Sequence, residues 1–199
     1  MWIDTHAHLV WPELKEKVGE ILNQCREAQV DKIITVACDL ETLRASAKLV
    51  QETADFDLYY TAGMHPSDIR AEGIADWSEF ISHLTNPLCK AIGECGLDYF
   101  HAEDTSAQEG VFRRQIELAQ QYQKPLIIHT RQASEDTWRI LSDYTNLDFV
   151  IHCFTENKEF AKKVLDRGGM ISLTGILTFP KSQDLQELVK YLPLEHIML

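Results

Sequence analysis

The 199-residue sequence predicts an α/β chain folded as a (β/α)8 barrel of the TIM type, with the eighth strand cut short and the final helix absent. Three observations point there. Short apolar runs alternate with longer stretches of helical periodicity, the pattern of a parallel sheet covered by helices. The runs give seven complete βα units and the start of an eighth strand, the strand number of a closed barrel. Neither a GxGxxG nor a P-loop follows any run, which argues against an open nucleotide-binding sheet.

The predicted strands are "MWIDTHAH" (1–8), "DKIITVAC" (31–38), "DLYYTAGMH" (57–65), "CKAIGECGLDY" (89–99), "PLIIHT" (125–130), "DFVIHCF" (148–154), "GMISLTG" (169–175) and the incomplete "HIML" (196–199). Amphipathic stretches at 12–28, 40–53, 76–85, 106–122, 133–144, 157–167 and 182–191 are the predicted helices. Ser106 followed by Glu109 has the spacing of a capping box opening the fourth. With no linker, low-complexity segment or close repeat, residues 1–199 form a single domain.

Composition narrows the function. At 45% hydrophobic and 25% charged residues the chain can build a core. No apolar run approaches the ~20 residues of a membrane span. The N-terminus lacks the features of an export signal, so a cytoplasmic location without membrane partners is expected. The cysteines, Cys25, Cys38, Cys89, Cys95 and Cys153, are odd in number and form no CxxC pair, so they read as small buried hydrophobes. A net charge of −12 opposes broad electrostatic binding to nucleic acid but permits a phosphate substrate at a site carrying its own cations.

The histidines supply such a site. His6, His8, His65, His129 and His152 fall at the C-terminal ends of predicted strands, and Glu94 holds the same position in the fourth run. Those ends ring the mouth where barrel active sites lie. Residues i and i+2 on a strand share a face, so His6 and His8 both face the axis while Thr5 and Ala7 point outward. The same alternation sends Cys95 and Cys153 toward the helices. A carboxylate buried among imidazoles is costly without a cation, so a metal site is expected.

"DTHAHL" (4–9), "GMHP" (63–66), "GECGLDY" (93–99), "IIHTR" (127–131) and "HCF" (152–154) together resemble the TatD family of metal-dependent deoxyribonucleases, among the amidohydrolase-like metallo-barrels. The resemblance spans essentially the whole chain. It implies two divalent metal ions: His6 and His8 ligate one, Glu94 bridges, and His129 and His152 ligate the second. It places His65 beside the metals, against substrate phosphate. Arg131 either pairs with a phosphate oxygen or makes a rim salt bridge; Asp98 orients the site or caps a turn; Tyr99 stacks on a base or packs. Imidazole-rich ligation favours Zn²⁺, Mn²⁺ or Ni²⁺, whereas the resemblance implies Mg²⁺ in function.

Two departures from the family pattern stand out. "HCFTEN" carries Glu156 and Asn157 where the family has a glycine, and the sequence ends at Leu199, before the family's short motif with a metal-liganding aspartate and its last helix. A weakened metal site follows as an expectation. So does an exposed seam, either left open in a monomer or covered by another chain in an oligomer.

The expected reaction is hydrolysis of DNA phosphodiesters, releasing nucleotides from the 3′ end of single strands, with Glu94 and His65 catalytic and Arg131, His65 and Tyr99 contacting substrate. Two alternatives remain at this point: an ester or amide hydrolase such as a D-aminoacyl-tRNA deacylase, and a catalytically impaired metal-binding protein. His83 and His101 are expected in solvent, His196 at the far end of the barrel, and Trp2, Trp11, Trp77 and Trp138 in packing roles.

Overall fold

A computed structural model describes residues 2–70, 73–101 and 104–199. Eight parallel strands form one sheet in sequence order: β1 (Trp2–Ala7), β2 (Val30–Thr35), β3 (Asp57–Ala62), β4 (Cys89–Asp98), β5 (Leu126–Arg131), β6 (Phe149–Ile151), β7 (Met170–Ser172) and β8 (Ile197–Met198). Seven α-helices are present among the described residues: α1 (Val18–Glu27), α2 (Leu40–Glu52), α3 (Ser78–Leu84), α4 (Gln108–Tyr122), α5 (Ser134–Ser142), α6 (Lys158–Asp166) and α7 (Gln183–Val189). The sheet curls as the barrel expectation requires. No ladder joins β8 to β1 among the described residues, and Trp2 and Ile3 on β1 are exposed.

Strand composition explains the layering. β4 is buried along nearly its whole length, as a parallel strand covered on both faces must be. Its outward residues join the large core between sheet and helices, which includes Ile92, Cys95, Leu97 and Phe112. Inside the curl the apolar filling is small: Val36, Ala91 and Ile127, with Val150 against them. A cavity of about 250 Å³ remains there, bounded at its upper end by His6 and His152. No helix of the described residues is long and apolar enough to cross a membrane.

Several local expectations need correction. The first predicted helix opens as a 3-10 turn at Lys15–Lys17 before α1. The sixth strand ends at Ile151, so His152 stands just beyond it; Cys153, at φ +47°, turns the chain away. Thr5 does not point outward but lines the inner cavity beside His6, because the β1–β2 register shifts between Asp4 and Ala7. The Ser106–Glu109 capping box does not form: Ala107 is the N-cap, and Glu109 instead pairs with Arg113 and Arg139. The capping box lies at Asp39–Thr42, where Asp39 Oδ1 accepts from Thr42 N at 2.7 Å. Only Cys89 and Cys95 are fully buried; Cys25, Cys38 and Cys153 are half-buried, and all five are free thiols.

Candidate metal centre

The loops at the C-terminal ends of the strands converge on Glu94. Close strand contact makes this possible. A Cβ at Gly96 would lie 2.0 Å from the His129 carbonyl oxygen, and one at Gly63 would lie 2.0 Å from the Gly93 carbonyl carbon. Only glycine lets β4 run this near to β5 and to the end of β3.

Glu94 is buried and faces two groups of imidazoles. On one side its Oε2 lies 3.3 Å from His6 Nε2, which is itself 3.3 Å from His8 Nε2. On the other its Oε1 lies 3.3 Å from His129 Nδ1 and 3.9 Å from His65 Nε2. His152 falls outside both groups. Its ring stacks on His6 with centroids 3.4 Å apart and planes within 5°, and its Nδ1 is 3.4 Å from Ser172 Oγ.

Hydrogen bonds select the nitrogens that face inward. His8 Nδ1 donates to the Val36 carbonyl at 3.2 Å, which leaves Nε2 as a lone pair toward His6 and Glu94. His129 Nε2 donates to Asp98 Oδ2 at 2.9 Å, which leaves Nδ1 as the lone pair toward Glu94. His65 is arranged oppositely. Its Nδ1 accepts from the Ser67 backbone N–H at 3.2 Å, so the neutral ring carries its proton on Nε2, the atom nearest Glu94. His6 Nδ1 is buried with no partner among the described residues.

Charge follows the same geometry. Burial opposes ionisation of Glu94, yet the facing imidazoles of His129, His6 and His65 hold its carboxyl well below the usual range. Burial pushes His65 down to about 4 and His152 down to about 3, and it lowers His8 with help from His6. His129 is raised: Glu94 and Asp98 outweigh its burial.

Asp98 both orients the site and caps a turn. It is fully buried. Its Oδ2 takes His129 Nε2 and, at 2.8 Å, His101 Nδ1; its Oδ1 takes the backbone N–H groups of Phe100 and His101 at 2.9 and 2.7 Å. Burial works against its charge, but these donors hold its carboxyl well below the usual range. His101 is therefore not simply solvated, although its side chain is 53% exposed. His83 likewise has a partner, the Tyr60 hydroxyl at 3.2 Å. His196 lies at the opposite end of β7, 3.0 Å from the Gly169 carbonyl.

The proposed substrate contacts sit on the rim. The Arg131 guanidinium lies 5.1 Å over the Phe100 ring and makes no salt bridge among the described residues. Tyr99 donates its hydroxyl to Asp136 Oδ2 at 3.0 Å, which ties it to α5. Asn157, in the departing "HCFTEN" loop, caps α6 by accepting from Phe160 N–H at 2.9 Å.

Sequence reasoning missed two supports. Gln108 and Gln115 of α4 are fully buried. Gln108 accepts from Asp98 N–H and donates to the carbonyls of Asp98 and Pro66; Gln115 brackets the Met64 backbone in the same way. They clamp the loops that carry Asp98 and His65. The available signal was two amides seven residues apart on the face that carries Phe112 and Ile116.

A barrel-type parallel sheet with a buried glutamate shared by two histidine groups at its C-terminal mouth defines a metallohydrolase-like barrel. Comparison with known proteins places it more closely. Residues 3–199 match the family described as TatD related DNase, and the chain belongs to that family. It is 32% identical to an uncharacterized metal-dependent hydrolase of Bacillus subtilis, YabD, over 100% of this chain and 78% of that protein. It is 31% identical to the human 3′-5′ RNA nuclease TATDN2 over 99% of this chain and 28% of that protein. The crystal structure of YJJV, a TatD homolog from Escherichia coli K12, superposes with a TM-score of 0.89 at 27% identity, covering 100% of this chain and 77% of the other. The protein is thus a TatD-type metal-dependent hydrolase.

Proposed function

We propose that the protein hydrolyses phosphodiester bonds of DNA, releasing nucleotides from the 3′ end of single strands, with two divalent ions held around Glu94. The observation that carries this is one buried, ionised carboxylate facing lone-pair nitrogens on both sides. The donor set fits divalent cations. In the neutral rings His8 Nε2 and His129 Nδ1 are the free lone pairs, and a cation on the His6 side would offset the burial of Glu94 and its crowded imidazoles. His6, His8 and Glu94 would hold one ion. Glu94 and His129 would hold the other, with His152 turned in from beside His6. Bound there, divalent ions would supply an activated water and positive charge against the phosphate; Mg²⁺ is the ion proposed in function.

The chain's own residues do the rest. His65 holds a proton on Nε2, fixed by Ser67, and donates it as a hydrogen bond to a phosphate oxygen. Arg131, held over Phe100, offers its fork to a second phosphate oxygen. Asp98 keeps His129 in the tautomer that faces Glu94. The names of the family and of the human relative support a nuclease reading. The five free thiols fit the cytoplasm.

The test is digestion of 3′-labelled single-stranded DNA, with an RNA of the same sequence beside it, in Mg²⁺ or Mn²⁺ and in chelator. Metal-dependent shortening of the DNA that disappears in Glu94→Ala is the expected result. Wild-type turnover in that variant, or hydrolysis of an aminoacyl ester with intact oligonucleotide, overturns it.

A further inference from the structure

Large aromatic side chains left in solvent are unevenly distributed on this protein. Of the six exposed among the described residues, Trp11, Tyr99, Phe100 and Phe179 each lie in a segment following the C-terminal end of a strand, the end that carries the candidate metal centre, whereas Trp2 opens β1 and Tyr191 follows α7. Tyr99 is already engaged with Asp136, but Trp11 and Phe100 are not so tied down. Trp11, 43% exposed, lies flat on the His8 imidazole, with ring centroids 4.2 Å apart and planes within 14°. Phe100, 56% exposed, stands edge-on to His101 beneath the Arg131 guanidinium. A connected row therefore runs from Trp11 through His8, His6, Glu94, His129, Asp98 and His101 to Phe100, with an aromatic surface at each end.

We propose that Trp11 and Phe100 are stacking surfaces for unpaired nucleobases on either side of the scissile phosphate. This rests on the nuclease reading above and adds to it the residues that select single strands. The physical need is plain. A chain of net charge −12 repels a polyanion, so affinity has to come from bound cations, a few local cations and contacts that ignore charge. Base-on-aromatic stacking is such a contact, and any base can make it. In a duplex the bases are paired and stacked on one another, so their faces are unavailable to Trp11 or Phe100. Arg131 serves both parts of the ligand: its fork reaches phosphate oxygens, and its plane, lying over Phe100, extends the stacking surface.

The experiment measures equilibrium binding by the full chain in Mg²⁺, using fluorescence anisotropy of a labelled phosphorothioate DNA hexamer that resists cleavage. The same backbone lacking bases, and the hexamer annealed to its complement, are run beside it. Trp11→Leu and Phe100→Leu should each weaken binding of the single strand about 5- to 100-fold. Trp11→Phe and Phe100→Tyr, which keep a ring, should restore it. The abasic strand and the duplex should bind weakly and respond little to any of the four changes. Tight hexamer binding that both leucine variants retain overturns the stacking role and leaves the nuclease reading standing. Wild-type protein that binds no form of the hexamer, while still hydrolysing a simple ester in a Glu94-dependent way, overturns the nuclease reading with it.

Discussion

On one side of Glu94 stands an imidazole whose outer nitrogen is held by a fully buried carboxylate; on the other stands an imidazole whose outer nitrogen has no partner among the described residues. His129 faces Glu94 with Nδ1 and donates from Nε2 to Asp98, and Asp98 is fixed in turn by three further donors. His6 has Glu94 and His8 at its inner nitrogen, His152 packed flat against its face and an orphaned Nδ1. The first arrangement sets orientation and tautomer before any ligand arrives. The second crowds imidazoles around one carboxylate and leaves their order to be completed by a cation. The two sides of a shared glutamate therefore differ in how much of the binding geometry the protein has already fixed.

The largest effect is expected where both sides meet. Glu94→Gln removes the carboxylate that the two groups share among the described residues, and activity should fall by at least about a hundredfold. Metal content of the purified variant, measured by elemental analysis, should fall at both positions together. Retention of one ion at wild-type affinity would mean that the two groups do not depend on Glu94 alike.

Asp98→Ala should act on one side only. It frees the His129 ring and leaves the Phe100 and His101 backbone N–H groups without their acceptor. Loss of such an outer partner lowers metal affinity about 10- to 100-fold, and the part-buried donors left to solvent cost at most about 1 kcal/mol of stability. Titration calorimetry should show one weakened site beside one unchanged. Two weakened sites, or none, would dissolve the contrast between His6 and His129.

Acid should distinguish the sides in the metal-free protein. His65, lowered to about 4, and His152, lowered to about 3, stay neutral in the fold while their unfolded counterparts take up protons near 6.5. The unfolded state then binds more protons, so their contribution makes stability fall as pH drops from about 6.5 toward 4. His129, raised, opposes this: its contribution is present at low pH and is lost as pH rises through its folded-state value. Glu94 and Asp98, lowered, contribute stability above the usual carboxylate range that disappears only in stronger acid. Thermal melts in chelator should lose midpoint between pH 7 and 4.5, and His152→Gln should flatten that loss. A slope that His152→Gln leaves untouched would remove His152 as its source.

Most of this framework was legible beforehand, and the exceptions have physical causes. Alternating periodicity located the eight strands and seven α-helices of the described residues, because burial on both faces of a parallel strand writes itself into composition. The convergence of His6, His8, His65, Glu94 and His129 followed from their positions at strand ends, whereas His152 stacks on His6 outside both groups. Trp2 and Trp11, expected to pack, are exposed, and three of the cysteines are only half-buried; the other failures depended on single hydrogen bonds or on local backbone shape. Thr5 turned inward through a register shift, and His152 left its strand at the left-handed Cys153. The helix cap formed at Asp39–Thr42 instead of Ser106–Glu109 because Glu109 had two arginines to pair with. Gln108 and Gln115 were hidden for another reason: a polar residue on an apolar helix face reveals nothing until the backbone it satisfies is known.

The smallest effect should come from His101. It supplies one side-chain hydrogen bond to Asp98, from a position more than half exposed, and its backbone N–H supplies another that no side-chain change removes. In His101→Ala, Asp98 keeps Phe100 N–H, His101 N–H and His129 Nε2. Three charge-assisted donors still favour the ionised carboxylate, and the tautomer of His129 is unchanged. Metal affinity on the His129 side should therefore shift by no more than about threefold, well inside the range given for loss of a whole outer partner. If His101→Ala reproduced the Asp98→Ala titration, the single imidazole bond would be holding the carboxylate in place, and the four-donor cradle would not be what prepares this side of Glu94.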